Sequence, residues 1–273
     1  RRVAGVRRVG HAGTLDPLAS GLLLVCVGPA TRFVEYLVGL DKVYETTVRL
    51  GQTTTTYDAE GAVTDERPVT ISGADIRAAL PAFRGAIRQR VPPFSAVKRD
   101  GQPLYKRARR GEEIDLPERE VVIHELDLLA YEPPLLVLRM SVSSGTYVRS
   151  LAHDLGEALG CGGHVVALRR TAVGRFAAAD AVALDDLSPQ NLSEHMLPPE
   201  ATVAHLPRVE FTPKEATLLA HGQWVPAQAD APSGDTAAFE TGGRFLGIVA
   251  AREGLWRPRK MISESGDSRV GEP

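Results

Sequence analysis

Apolar runs along the chain predict several β-strands. Residues 21–27 and 43–50 are short runs of β-forming side chains, as expected of strands. Residues 119–131 and 135–144 are longer β-rich runs, and the Glu132-Pro133-Pro134 between them is typical of a turn that joins two paired strands. Strand-like and helix-like stretches do not alternate regularly, so the pattern predicts an α+β fold and not a doubly wound parallel sheet.

Three stretches have the apolar spacing of helices. Ser72 is a suitable N-cap for a helix over residues 75–83, which has apolar side chains on one face. Residues 148–159 carry leucines one turn apart, and Gly160 follows as a stop signal. Residues 212–221 begin with a threonine N-cap, a proline and a capping-box glutamate, which together predict a short helix.

Changes in composition divide the chain into four parts. Residues 1–187 form the first domain, and residues 188–207, rich in Pro, Ser and Glu, are expected to be a linker. Residues 208–262 are expected to form a small β-barrel, and residues 263–273 have too few apolar side chains to pack and are expected to be a disordered tail. Short strand-like pieces separated by glycine-rich turns suggest this barrel: 224–227, 236–240, 244–251 and 256–262.

Composition indicates a globular, cytoplasmic protein. The 273 residues include 43% hydrophobic and 24% charged side chains, enough to bury a full core. The absence of an apolar run of membrane-spanning length, and of a signal pattern at Arg1, argues against membrane insertion and export. Cys161 and His164 supply only two of the four ligands of a structural zinc site, so no metal is expected. His153 has no partner pattern nearby and is interpreted as structural.

Positive charge is concentrated in the N-terminal part of the chain. Residues 1–110 contain 18 Lys and Arg against 10 Asp and Glu, a balance of +8, whereas residues 111–273 contain 14 against 24, a balance of −10. Such cations could neutralise phosphates, although a solvated surface is the alternative. Because two runs flank one domain, we favour RNA binding; the runs are Arg1, Arg2, Arg7 and Arg8, then Lys98, Arg99, Lys106, Arg107, Arg109 and Arg110.

A glycine-rich loop contains a single carboxylate, that of Asp16. By residue type alone this could be a turn in which Asp16 accepts a local backbone hydrogen bond before Pro17. The whole segment, however, resembles the loop around the nucleophilic aspartate of the TruB family, the tRNA pseudouridine-55 synthases. The fixed family pattern Gly-His-x-Gly-x-Leu-Asp-Pro-x-Ala-x-Gly-x-Leu is present in full over residues 10–23.

Further motifs of the same family follow in order and extend the resemblance over roughly residues 3–187. The segment near 93–112 is similar to the family's RNA-gripping thumb, and the final barrel is similar to a PUA domain by position and strand pattern. An Asp-Lys-Pro-x-Gly-x-Thr-Ser motif usual in the family is not in this sequence. The other matching segments are Asp41-Lys42-x-Tyr44, Arg49-Leu50-Gly51, Thr53-x-Thr55-x-x-Asp58-x-x-Gly61, Ser144-Gly145-Thr146-Tyr147-Val148-Arg149 and Leu168-Arg169-Arg170.

The resemblance implies roles for individual residues. Asp16 is the nucleophile, and Arg149 is its ion-pair partner, although Arg149 alone would be taken for a surface residue. Tyr44 stacks on the target base and takes its proton, Tyr147 lines the pocket, and Leu168 packs against the ring. Without the motifs, core packing would explain these three. His11 inserts into the RNA loop, and the RNA-binding residues are Lys98, Lys106, Arg107, Arg109 and Arg110.

The resemblance also implies the fold and the function. The fold is an α+β pseudouridine synthase fold, with a mixed, largely antiparallel central sheet and flanking helices, plus a small C-terminal PUA-like β-barrel. The function is isomerisation of a T-arm uridine of tRNA to pseudouridine by a monomer, with no cofactor or metal. Two alternatives stay open: an RNA-binding or RNA-folding protein without catalysis, and a synthase that is directed by a guide RNA.

Overall fold

A computed structural model of the chain describes residues 1–95, 98, 99, 101–104, 107, 110, 112 and 115–262, so the predicted tail lies outside the described residues. The helices are α1 (Val34–Val38), α2 (Gly73–Ala79), α3 (Val148–Ala158) and α4 (Pro213–Ala220). In chain order the strands are β1 (Val9–His11), β2 (Ala19–Gly21), β3 (Val25–Val27), β4 (Lys42–Leu50), β5 (Gln52–Thr54), β6 (Val63–Glu66), β7 (Gly85–Arg90), β8 (Lys98–Arg99), β9 (Gln102–Pro103), β10 (Glu118–Glu132), β11 (Leu135–Val142), β12 (Gly163–Val173), β13 (Phe176–Ala177), β14 (Arg208–Phe211), β15 (Val225–Pro226), β16 (Asp235–Glu240), β17 (Phe245–Arg252) and β18 (Leu255–Met261).

The chain forms two compact units. The sheet unit comprises Leu15–Leu22 and Gly39–Ala181, and the C-terminal unit comprises Arg1–Thr14, Leu23–Val38 and Val182–Pro273. The domain boundaries inferred from the sequence stay a prediction. No helix in the described part of the chain is long and apolar enough to cross a membrane.

A seven-stranded sheet organises the sheet unit. Its strand order is β13-β12-β4-β11-β10-β7, and β2 adds to β12 in parallel, while the other pairs are antiparallel. Along β4, Thr46, Val48 and Leu50 are buried, whereas Glu45 and Arg49 are exposed, because successive side chains of a strand point to opposite faces. The mixed α+β class predicted from the sequence is therefore confirmed.

The predicted helices are present, and two of them begin at the expected N-caps. Ser72 caps α2 in a capping box with Asp75, and the Thr212 capping box begins α4. Helix α3 is followed by Gly160 at φ +79°, a conformation that glycine adopts without a steric cost. The helix predicted over 75–83 is α-helical only as far as Ala79, because a 3-10 turn that contains Pro81 replaces its last part.

The strand predicted over residues 21–27 was wrong in its continuity. The chain has β2 and β3 instead, and they belong to different sheets. Gly21 has a φ of +97°, and a Cβ atom there would lie 2.2 Å from the carbonyl oxygen of Arg170. The chain turns at this glycine, so the apolar run that follows does not continue the strand, although its first residue, Leu22, is buried.

The C-terminal unit contains a five-stranded sheet with the order β14-β16-β17-β18-β15. Only β14 and β16 run in parallel. The described pairing runs from one edge to the other without closing, so the predicted small β-barrel is present among the described strands as an open sheet. One edge strand has only two residues, and its Pro226 has no amide hydrogen to donate. Helix α4 covers a core that contains Phe211, Leu219 and Trp256.

Candidate active site around Asp16

The loop that carries Asp16 is fixed against strand β12. The backbone amide of Ala19 donates to the carbonyl oxygen of Asp16 at 2.9 Å, and β2 then pairs with residues 168–170 of β12. The missing side chain of Gly21 allows this close approach. The side chain of Asp16 is left 32% exposed, so its carboxylate is accessible to a ligand while its backbone is held.

Arg149 binds the carboxylate of Asp16 with two hydrogen bonds. Its Nε donates to Oδ2 of Asp16 at 2.8 Å and its Nη2 donates to Oδ1 at 3.0 Å. The Arg149 side chain is only 5% exposed. Such a bidentate pair fixes the orientation of the carboxylate.

The remaining N–H groups of Arg149 also have acceptors. Nη1 donates to the carbonyl oxygen of Thr56 at 3.0 Å and lies 3.4 Å from Oδ2 of Asp58, while Nη2 donates to the carbonyl oxygen of Phe94 at 3.1 Å. A guanidinium has five N–H groups, and Arg149 donates four hydrogen bonds here and makes one ion-pair contact with Asp58. A lysine could not reproduce this arrangement, because its ammonium presents a point charge without the planar fork.

Arg149 occupies a position that is costly for a cation. It lies in the first turn of α3, where the helix dipole repels positive charge, and burial adds a desolvation penalty. The negative charges of Asp16 and Asp58 offset both costs. The Asp58 side chain is only 4% exposed, so water screens its attraction to Arg149 very little. Helix α3 itself is anchored by Gln89, whose side chain accepts from the amide of Tyr147 at 2.7 Å and donates to its carbonyl at 2.9 Å.

Asp58 is the site residue to which the sequence motifs assigned no role. Its Oδ1 accepts hydrogen bonds from Oγ1 of Thr56 and from the amide of Glu60. A Cβ atom on Gly61 would lie 2.4 Å from Oγ1 of Thr56, so only glycine fits there. The sequence contained a signal for this role of Asp58, because Asp58 and Gly61 both belong to one of the matching motifs.

Tyr44 and Leu168 lie on one face of the sheet. Tyr44 is opposite Arg170, and Thr46 is opposite Leu168, and residues directly opposite each other in antiparallel strands point to the same face. Burial raises the pKa of the Tyr44 hydroxyl, and a hydrogen bond and the positive charge of Arg170 oppose that rise. The phenol is therefore neutral at physiological pH.

Tyr147 and His11 occupy different surroundings. Tyr147 is half-buried immediately before α3, with the guanidinium carbon of Arg119 5.4 Å from its ring centroid. His11 is exposed at the end of β1 in the C-terminal unit, opposite Val25 of β3.

The predicted RNA-binding residues are only partly described. Lys106 and Arg109 lie outside the described residues, and Lys98 is placed by its backbone alone, in the β8–β9 hairpin. The Nε atoms of Arg107 and Arg110 donate to the carboxylate of Glu112 at 2.8 and 2.6 Å. These two arginines lower the pKa of Glu112.

Chemically, the centre is a held carboxylate beside an aromatic and aliphatic platform. Asp16 can act as a nucleophile or as a base, and its guanidinium partner holds its carboxylate in one orientation. Nowhere in the described ranges do three or more His, Cys, Asp or Glu side chains form a group that could hold a metal ion.

Family models match the chain along most of its length. Residues 1–148 match the N-terminal domain of TruB family pseudouridylate synthases. Residues 149–204 match the tRNA pseudouridylate synthase B C-terminal domain, and residues 206–261 match the C-terminal model of tRNA pseudouridine synthase II.

Curated relatives are similar over almost the whole chain. A protein of Pseudomonas aeruginosa (strain UCBPP-PA14) named tRNA pseudouridine synthase B is 45% identical over 270 residues, which cover 96% of this chain and 89% of that protein. A protein of the same name from Azoarcus sp. (strain BH72) is 46% identical over 266 residues, which cover 96% and 88%.

Solved structures show the same fold. A chain from the crystal structure of a Cbf5-Nop10-Gar1 complex has a TM-score of 0.70 at 26% identity, and the match covers 92% of this chain and 71% of that one. A chain from an H/ACA RNP bound to a substrate RNA containing 2′-deoxyuridine has a TM-score of 0.68 at 23% identity, covering 96% and 72%. From its family models and relatives, this chain belongs to the TruB family of pseudouridylate synthases.

Proposed function

We propose that this chain isomerises the uridine at position 55, in the T-arm loop of tRNA, to pseudouridine, with Asp16 as the nucleophile. The observation that carries the proposal is the bidentate pair of Arg149 and Asp16, at 2.8 and 3.0 Å, beside an exposed carboxylate edge. Relatives at 45% and 46% identity are named tRNA pseudouridine synthase B, which supports tRNA as the substrate.

The reaction needs few chemical groups. The bond between N1 of the base and C1′ of the ribose breaks, the base rotates, and a bond forms between C5 and C1′. The proton on C5 leaves, and N1 gains a proton, so no oxidant or reductant takes part. Asp16 forms a covalent intermediate with either the sugar or the base, and Arg149 orients its carboxylate for the attack.

The target uridine must leave its stack before it can react. Tyr44 provides an aromatic surface for the flipped base, Leu168 packs against the ring, and Tyr147 lines the pocket. His11 inserts into the RNA loop and fills the space that the base leaves. A neutral Tyr44 suits stacking. When its hydroxyl takes the C5 proton, it must pass its own proton on, because the raised pKa disfavours a resting phenolate.

Positive charge near residues 93–112 holds the tRNA. The RNA-binding set is Lys98, Lys106, Arg107, Arg109 and Arg110, which contact phosphates and so position the substrate without reading its sequence. The C-terminal sheet of residues 208–262 is a PUA-like RNA-binding module, which agrees with its match to the C-terminal family model. We also infer that the protein acts as a monomer in the cytoplasm, where its tRNA substrate is found.

The test uses a tRNA transcript that carries tritium at C5 of uridine. The chain should release label stoichiometrically with the target uridine, and Asp16→Asn should abolish release while tRNA affinity stays within a few fold, because one side chain does the chemistry and many hold phosphates. A transcript with cytidine at the target position is the matched control. Normal label release by Asp16→Asn would refute the assigned nucleophile.

The same assay separates the two alternatives. A binding protein without catalysis would bind the transcript and release no label. A guide-dependent synthase would release label only after a guide RNA and its protein partners are added. Release with the purified chain and transcript alone supports the stand-alone enzyme, as the names of the curated relatives suggest.

A further inference from the structure

The rings of Tyr57 and His153 stack on each other beside the active site. Their centroids lie 3.9 Å apart and their planes differ by 9°. Tyr57 belongs to the loop that carries Asp58, and His153 lies on α3, four residues after Arg149. Residues four apart occupy the same face of a helix, so Arg149 and His153 face the same loop.

The loop contacts α3 at two points one helical turn apart. At the first, Arg149 binds the carbonyl oxygen of Thr56 and pairs with Asp58. At the second, His153 stacks on Tyr57, which lies between those two residues in the chain. The stack therefore fixes the position of the loop relative to α3 next to Arg149.

Tyr57 has a backbone conformation that needs support. Its φ is +63°, which is uncommon for a residue other than glycine and persists only where the surroundings impose it. On the backbone side, the amide of Val165 donates to the carbonyl of Tyr57 at 3.1 Å, and the amide of Ala59 donates to Val165 at 2.9 Å. On the side-chain side, the support is the ring of His153.

His153 contributes a ring face and not a hydrogen bond to this contact. Its Nδ1 is buried and has no hydrogen-bond partner among the described residues. Burial lowers its pKa, and so do Arg67 and Arg90, while Asp154 and Glu157 oppose them, so the ring is neutral at pH 7. A buried nitrogen without a partner is unfavourable, and an apolar ring of similar size would serve as well.

We propose that the stacked pair of Tyr57 and His153 is a positioning device for uridine isomerisation, which holds Thr56 and Asp58 where they fix Arg149 and, through it, Asp16. This inference rests on the proposed function. Neither ring touches the nucleophile, and both act through the guanidinium that does.

Four variants separate ring stacking from other roles. Tyr57→Asn and His153→Ala remove a ring, and asparagine tolerates a positive φ, so the first does not add backbone strain. Tyr57→Phe and His153→Phe keep the stack. We expect the single-turnover rate of tritium release at saturating tRNA to fall about tenfold in the first two and to stay within twofold in the last two, since an aromatic pair contributes at about that level.

Further measurements exclude a merely structural effect. The tRNA dissociation constant should stay within twofold in all four variants, and thermal unfolding should show each to be folded at the assay temperature. In an Asp58→Asn background, Tyr57→Asn should cost less than twofold more, because both changes act on the same guanidinium.

Three results would overturn the inference. These are unchanged rates in Tyr57→Asn and His153→Ala, an equal loss in His153→Phe and His153→Ala, and fully multiplicative losses with Asp58→Asn. Inactivity of the unaltered chain is a separate outcome, since it refutes the proposed function and this inference together. Activity of the unaltered chain with unchanged variants refutes this inference alone.

Discussion

The Arg149 centre and the basic segment near residues 93–112 both use arginines, but they depend on them differently. Arg149 is almost fully buried, and it donates four hydrogen bonds and pairs with Asp58. Arg107 and Arg110 share one carboxylate, that of Glu112, and Arg110 is half exposed. In the first region geometry sets the chemistry, whereas in the second the total charge sets the affinity.

This difference predicts how each region responds to substitution. A single change at the centre should reduce the rate strongly and leave binding almost unaltered. A single change in the basic segment should alter binding slightly and leave the rate alone, because screening weakens exposed charges and neighbouring cations compensate.

Among variants that keep Asp16, the largest effect is expected for Arg149→Lys. Lysine keeps the charge but loses the fork, so the bidentate bond to Asp16 and the bonds to two carbonyl groups cannot all form. Disrupting a buried pair costs about 3–5 kcal/mol, so the single-turnover rate should fall about 150-fold to 5000-fold with tRNA affinity within a few fold. Arg139→Lys, at an exposed position on β11, is the matched control. A rate within threefold of normal would contradict the dependence on geometry.

A smaller effect is expected for Asp58→Asn. The amide keeps a carbonyl oxygen for Thr56 and Glu60 but removes the negative charge beside Arg149. A hydrogen bond to a charged group contributes about 1.5–3 kcal/mol, so the single-turnover rate should fall about 10-fold to 100-fold. Because Asp16 still pairs with Arg149, the loss should be less than for Arg149→Lys. The reverse order would show that Asp58 matters more than the bidentate bond.

Opposite shifts in affinity are expected in the basic segment. Arg110→Ala removes one cation, and should raise the tRNA dissociation constant about threefold and reduce the salt dependence of binding by about one ion. Glu112→Gln removes the carboxylate that Arg107 and Arg110 share, so it should tighten binding by a similar factor. Filter binding at several salt concentrations measures both. Changes of the same sign, or a changed single-turnover rate, would show that this segment does more than hold phosphates.

The smallest effect concerns pH. Arginines do not titrate between pH 5 and 8. Of the two regions compared, therefore, only the Arg149 centre, through the nearby His153, should make the free energy of unfolding depend on pH in that range. The pKa of His153 is lowered in the folded protein, so the unfolded chain takes up the proton first. Stability is then complete above the unfolded pKa of about 6.5 and falls as the pH drops through it, by at most about 1.4 kcal/mol per pH unit and less with solvent screening. Urea unfolding of the unaltered chain and of His153→Phe at pH 7.5 and 5.5 measures this loss of stability. An equal pH dependence in both proteins would refute its assignment to His153.

Local patterns were enough to predict much of the fold. Capping residues at Ser72 and Thr212, the leucine spacing of residues 148–159 and the turn at Pro133-Pro134 each correspond to an element of the structure. These signals act over a few residues, so the sequence contains them directly. The motif around Asp16 likewise identified the family without any knowledge of the fold.

Other features depended on residues that are distant in the chain. The run 21–27 is apolar enough for a strand, yet the backbone of Arg170 comes so close to Gly21 that the chain turns there. A small β-barrel was predicted from the strand pattern, and the described strands form an open sheet, because closure depends on the pairing of the two edge strands, which a strand pattern does not contain.

The sequence by itself determined most of the elements, the family and the residues that we propose carry the chemistry. Only the tertiary structure decided which of them meet: Asp16 and Arg149 are 133 residues apart in the chain, and Asp58 joins them through a loop whose Tyr57 stacks on His153. The physical reason is that a buried guanidinium requires acceptors in three dimensions, and the fold supplies them from three separate segments.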